Sequence, residues 1–128
     1  MTLADKRVLV VEDNFLVSLG TTDMLEAAGC VIVGPAASSM RALDLARSEA
    51  LDAAILDLDI AGEAVWPIAR ELQRRNVPFV FLSAYHQRNG TPASFDGIPH
   101  LPKPLERIRL LDALRVIFAG AREAPAPC

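Results

Sequence analysis

Aromatic residues are scarce in this chain, at 5% of 128 residues. Its core must therefore be built from aliphatic side chains, and a hydrophobic content of 52% supplies them. Cysteine is scarcer still, with only Cys30 and Cys128. Two cysteines make no disulfide framework, and their separation is no metal spacing. Cys30 reads as a small buried apolar residue. Positive charge is not in excess, because the net charge is -3. That removes the electrostatic case for nucleic acid, which calls for a basic patch. No apolar run reaches the ~18 residues of a membrane span. The opening MTLADKRVLVVED has none of the charged, apolar and small-residue regions of a secretory signal. The expectation is a cytoplasmic chain with neither a nucleic-acid nor a membrane partner.

What the sequence does have is an alternation of short apolar runs and longer amphipathic segments. The runs are RVLVVE from Arg7, CVIVG, AAILDL, VPFVFLSA and the brief HLPKP. Between them lie helical patterns. Asp13 or Asn14 can cap the first, from about Phe15 to Ala28, with Gly29 as its stop. Ser38 or Ser39 can cap the second, which runs to Glu49 with Met40, Leu43, Ala46 and Ala50 on one side. The third is expected from Glu63 to Arg75, with Pro67 tolerable in its first turn. The last is expected from Leu105 to Phe118, with Ile108, Leu111, Leu114, Ile117 and Phe118 on its apolar side. The segment YHQRNGTPASFDGIPH is full of breakers, so a fourth helix there should be short or irregular. Five βα units predict an α/β fold, a doubly wound, five-stranded parallel sheet; if its order is 2-1-3-4-5, the flavodoxin-like arrangement, strands one and three are neighbours.

In such sheets the functional site lies beyond the carboxyl ends of the strands. AAILDLDIAG places a carboxylate, Asp57, at the end of an apolar run, where an unpaired charge is costly. The other strand ends deliver Glu12 and Asp13, then Ser83, then Lys103 before Pro104. Each alone has an ordinary explanation: Asp13 as a helix cap, Ser83 as a turn residue, Lys103 as a solvated cation. Together, with strands one and three adjacent, they crowd Glu12, Asp13 and Asp57 into one pocket. Oxygen ligands of this charge suit Mg²⁺, which keeps several waters and shares its shell with phosphate. Asp57 can then act as an in-line nucleophile toward phosphorus, with Lys103 neutralising the phosphoryl oxygens and Ser83 donating a hydroxyl.

These motifs, VVEDN, ILDLD, FLSAY and LPKP, resemble those of the receiver domain of two-component response regulators. The resemblance covers about Lys6 to Phe118. It implies a phosphoprotein that takes a phosphoryl group onto Asp57 with Mg²⁺ from a sensor histidine kinase or histidine phosphotransfer protein. It also implies that the backbone carbonyl of Asp59 completes the metal shell and that the Lys103–Pro104 peptide is cis. His100 stands where the family often has a Tyr or Phe switch. With Ser83, it would take part in the change that phosphorylation makes to the Ser83–Leu105 surface, which a downstream target would read. PFVFLSAY resembles the PFxFATGY strand of an alphaproteobacterial-type subgroup, with Leu82, Ser83 and Ala84 replacing Ala, Thr and Gly. The receiver would occupy residues 1–120 and leave 121–128 as a flexible tail. It would stand alone or form part of a larger protein, as a monomer or weak dimer, with no turnover of an outside substrate. Two other readings compete. In one, Asp57 and Asp59 are the Asp-x-Asp nucleophile pair of a haloacid-dehalogenase-like phosphohydrolase. In the other, the chain is a degenerate receiver that serves only as a binding module.

Overall fold

A computed structural model describes residues 3–83, 91–103 and 105–123, with backbone alone from residue 120. Its central sheet is parallel. The five strands are β1 (Arg7–Val11), β2 (Val31–Ala36), β3 (Ala53–Asp57), β6 (Phe79–Ser83) and β7 (His100–Pro102), in the order β2-β1-β3-β6-β7. This is the expected 2-1-3-4-5 order, with a small hairpin, β4 (Asp59–Ile60) and β5 (Glu63–Ala64), intervening in the chain. The helices are α1 (Phe15–Ala27), α2 (Ser39–Ser48), α3 (Trp66–Arg74) and α4 (Arg107–Glu123).

The continuous apolar runs become the three inner strands because both of their faces are covered. Alternation along each strand then sorts the side chains between two cores. Leu9, Val11, Ala54, Leu56, Phe79 and Phe81 pack with Ala42, Leu45, Ile68 and Leu72 of α2 and α3. Val8, Val10, Ala53, Ile55, Val80 and Leu82 pack with Leu25, Leu110, Leu114 and Phe118 of α1 and α4. The few aromatics are concentrated in the first core. Trp66 stacks on Phe95 with centroids 5.5 Å apart and meets Phe81 edge-on at 5.6 Å.

The local signals account for most boundaries. Asn14, rather than Asp13, caps α1, its side chain accepting from the Val17 N–H. Gly29 follows at φ 93, a left-handed stop, and a Cβ there would press on the Ala4 backbone at 3.1 Å. Ser38 caps α2 by accepting from the Arg41 N–H. Pro67 falls in the first turn of α3.

Several expectations are corrected. The third helix begins at Trp66 instead of Glu63, because the preceding residues pair as β4–β5. In α2 the buried side is Ala42, Leu45 and Ala46, while Met40 is 78% exposed. In α4, Leu110 and Ala113 are inside and Ile108 is 74% exposed. In both helices the first-turn residue that meets the core is a different one: Ala42, not Met40, and Leu110, not Ile108. The last helix also starts later than Leu105 and continues past Phe118 to Glu123. In the place of a fourth helix, the described residues contain only a 3-10 turn, Ala93–Phe95, anchored by buried Phe95. Residues 84–90 of that segment and 124–128 of the tail lie outside the described residues.

The two-residue hairpin turn places Ala61 at φ 52 and Gly62 at φ 85. Both angles are left-handed, a region that penalises a Cβ by roughly 1–2 kcal/mol. Ala61→Gly removes that penalty and adds a smaller entropic one. The expected result is a gain of ~0.5 kcal/mol, read as a rise in Tm by thermal melting. Gly62→Ala should lower it.

Candidate functional site

The parallel register determines what meets at the carboxyl edge of the sheet. Val11 of β1 lies beside Leu56 of β3, so Glu12 and Asp13 emerge next to Asp57. Asp57 pairs with Leu82, one residue before Ser83. Ser83 lies beside Pro102, and the Lys103 N–H donates to the Ser83 carbonyl at 3.1 Å. That bond holds the exit of β7 against the end of β6 and turns Lys103 toward the acids.

Lys103 lies between two buried carboxylates. Its Nζ donates to Asp57 Oδ2 at 2.9 Å and to Glu12 Oε2 at 3.3 Å. The side chains of Glu12 and Asp57 are 0% and 3% exposed. Glu12 Oε2 also accepts from the Asn14 N–H at 3.1 Å. Glu12 Oε1 lies 3.1 Å from the ammonium, yet off the hydrogen-bonding direction, and accepts no hydrogen bond among the described residues. Burial, then contact with Asp57, pushes the Glu12 pKa up to about 7, against the opposing pull of the Asn14 N–H and Lys103. Burial works against the Lys103 charge, but its bonds to Asp57 and Glu12 outweigh that and raise its pKa.

Carboxylate oxygens of Glu12, Asp13 and Asp57 lie within 4.8 Å of one another. Three hard oxygen donors, one of them buried without a hydrogen bond, fit a divalent cation. Asp13, unlike the other two, is exposed, and its Oδ2 accepts from the Ala61 N–H at 2.8 Å. Asp59 is exposed on the hairpin, and its Oδ1 accepts from the Gly62 N–H at 2.9 Å. Its own N–H lies 3.4 Å from Asp57 Oδ1.

The structure therefore brings Glu12, Asp13, Asp57, Ser83 and Lys103 to one edge, with Asp59 beside them. His100 is set apart, half-buried on edge strand β7 with its ring 5.1 Å from Phe81. The Lys103–Pro104 peptide lies outside the described residues, because Pro104 does. The cis bond that is described is Gly34–Pro35. The sequence places a turn at Ala61-Gly62, as found, but sequence reasoning missed the strand pairing around it and the Ala61 amide that reaches Asp13. A two-residue turn with Gly in second place is itself a hairpin signal.

Comparison with known proteins agrees with this geometry. The family model described as "Response regulator receiver domain" matches residues 8–115. The transcriptional regulatory protein PdtaR of Mycobacterium tuberculosis is 30% identical over 124 residues, which is 94% of this chain and 60% of that protein. The chain thus spans about 60% of the length of the curated relatives it matches. The solution structure of SdrG from Sphingomonas melonis Fr1 superposes with a TM-score of 0.78 at 30% identity, covering 91% of this chain and 98% of that one. The receiver domain of the sensor histidine kinase PA1611 from Pseudomonas aeruginosa PAO1 has the same fold. It gives a TM-score of 0.78 at 24% identity, covers 91% of this chain and 99% of its own, and has a magnesium ion coordinated in its active-site cleft. The chain belongs to the response regulator receiver domain family, the phospho-accepting modules of two-component signalling.

The elevated Glu12 pKa has a direct consequence for stability. An unfolded Glu ionises near 4.5, whereas the folded chain retains this proton up to about 7. Between those values the folded state binds more protons, so this group's contribution to stability falls as pH rises. Glu12→Gln removes the dependence. In metal-free buffer, the Tm of Glu12→Gln relative to the unsubstituted chain should climb as pH is raised from 5 to 8. The groups facing Glu12 are Asp57, Lys103 and Asp13. A difference in Tm that does not vary with pH would show that Glu12 titrates normally.

Proposed function

We propose that Asp57 is the phosphoryl acceptor of this receiver. The observation that carries the proposal is a buried carboxylate at the end of a central strand, held by Lys103 at 2.9 Å within a cluster of two further acids. A carboxylate oxygen of Asp57 attacks phosphorus, and the bond from phosphorus to the donor breaks. With a phosphohistidine donor, the electron pair leaves on the imidazole nitrogen. Lys103 holds Asp57 before the reaction and can follow the negative charge to the phosphoryl oxygens afterwards. Glu12, Asp13, Asp57 and the Asp59 carbonyl would hold Mg²⁺, which supplies positive charge to those same oxygens. The Ser83 hydroxyl is the neutral donor at the end of β6, and the Ser83–Leu105 surface, with His100 packed on Phe81, is the part that responds.

The donor is a sensor histidine kinase or a histidine phosphotransfer protein, and the response is read by a downstream protein target. The chain acts in the cytoplasm as a monomer or weak dimer, and it turns over no outside substrate. The Asp59 carboxylate supports this over the phosphohydrolase reading. It is engaged with the Gly62 N–H of its own turn, not aimed at Asp57 as a general acid–base.

With acetyl phosphate and Mg²⁺, one base-labile phosphate should form per chain, and Asp57→Asn should abolish it. Intact-mass measurement decides the matter. An Asp57→Asn chain that labels as fast as the unsubstituted one refutes the assignment. Steady turnover of p-nitrophenyl phosphate would favour the hydrolase.

A further inference from the structure

Asp13 differs from the other acids of the cluster. Glu12 and Asp57 are fixed by burial and by Lys103, while Asp13 is exposed in the loop after β1. An exposed carboxylate on one short side chain samples several rotamers, and a metal site needs one of them. The anchor present is the Ala61 N–H, 2.8 Å from Asp13 Oδ2 and 48 residues away in the chain. This bond occupies one oxygen and leaves Oδ1 for a cation.

The Ala61 amide is available because of the turn that contains it. In a two-residue hairpin the first turn residue has no partner for its N–H within the ladder, and here that amide faces Asp13. The turn is in turn held from inside. Asp59 Oδ1 accepts from the Gly62 N–H at 2.9 Å, and the Val65 N–H donates to the Leu58 carbonyl at 3.2 Å across the hairpin base. Ala61 is left-handed at φ 52, against its intrinsic preference, so these bonds are what keep it there.

We propose that the β4–β5 hairpin is the positioning element for Asp13, and that the Asp59 side chain acts as its clasp. This rests on the receiver reading above and adds a role distinct from the backbone carbonyl that the family resemblance assigns to Asp59. Asp59 grips Gly62, the grip fixes the turn, the turn aims the Ala61 N–H, and that N–H holds Asp13 ready for the cation. Asp59 is a positioning residue through its carboxylate: its Oδ1 acts on Asp13 by way of the Gly62 and Ala61 amides.

Two substitutions separate this from simple electrostatics. Asp59→Ala removes both the charge and the acceptor. Asp59→Asn removes the charge and keeps an oxygen that can accept from Gly62. Mg²⁺ affinity is read from the shifts of the Asp13 and Asp57 amides during titration, and hydrogen exchange is read at the Ala61 amide. The expected result is a roughly tenfold loss of Mg²⁺ affinity in Asp59→Ala, the size seen when a ligand's supporting hydrogen bond is removed. Ala61 exchange should quicken in the same variant. Asp59→Asn should recover most of the affinity and the slow exchange. Equal losses in the two variants would overturn the proposal, because charge alone would then account for Asp59. Unchanged affinity in Asp59→Ala would also overturn it. If the unsubstituted chain shows no Mg²⁺-dependent shift at Asp13 or Asp57, the metal site of the receiver reading falls, and this inference with it. The two failures are told apart by which chain shows the defect.

Discussion

The ammonium of Lys103 makes the rest of the site possible. Parallel pairing of β1 with β3 forces Glu12 and Asp57 together at a buried edge, and two carboxylates there repel each other and lose hydration. Lys103 offsets both effects at once, and its own placement depends on the edge strand. The Ser83 carbonyl takes its N–H, so the end of β6 determines where the cation stands. Burial, and then Asp57, still raise the Glu12 pKa against the pull of Lys103, and three acids share the one ammonium. An acidic cluster of this kind has the chemistry to accept further positive charge.

The fold was legible because the sheet writes itself into sequence twice, as uninterrupted apolar runs and as the polar residues that end them. The parallel sheet followed from the βα alternation, its order did not, and the site residues followed from asking what each run delivers at its carboxyl end. The helix faces were less legible. Met40 and Ile108 are large and apolar, yet each stands in a first turn facing water, while the small Ala42 and Ala113 are inside. Size alone does not decide which side of a helix is inside, because alanine as well as leucine meets the sheet. The hairpin was missed for a different reason. Its strands are two residues long, below the length at which alternation can be recognised, and the Asp13–Ala61 bond joins segments with no local relation.

The scarcity of aromatics acquires a meaning once they are placed. Trp66, Phe79, Phe81 and Phe95 form one cluster, and His100 leans on it through Phe81. The cluster joins α3, β6 and the 3-10 turn, and His100 adds β7 to it. The turn is held by its own backbone bonds, by Gln73 of α3 donating to the Ser94 carbonyl at 3.1 Å, and by the Phe95 ring inside the cluster.

Alternation along the strands also partitions the molecule. Ile55 belongs to the layer under α1 and α4, and its neighbour Leu56 belongs to the layer under α2 and α3. Residues adjacent in sequence thus share no packing neighbours across the sheet, and the two layers touch only through backbone. Substitutions in opposite layers should be close to independent in free energy, while those within a layer should couple. Over evolutionary drift this lets one surface of the chain be rewritten with little penalty to the other. A module that must keep one edge of its sheet unchanged can still present different outer faces to different partners.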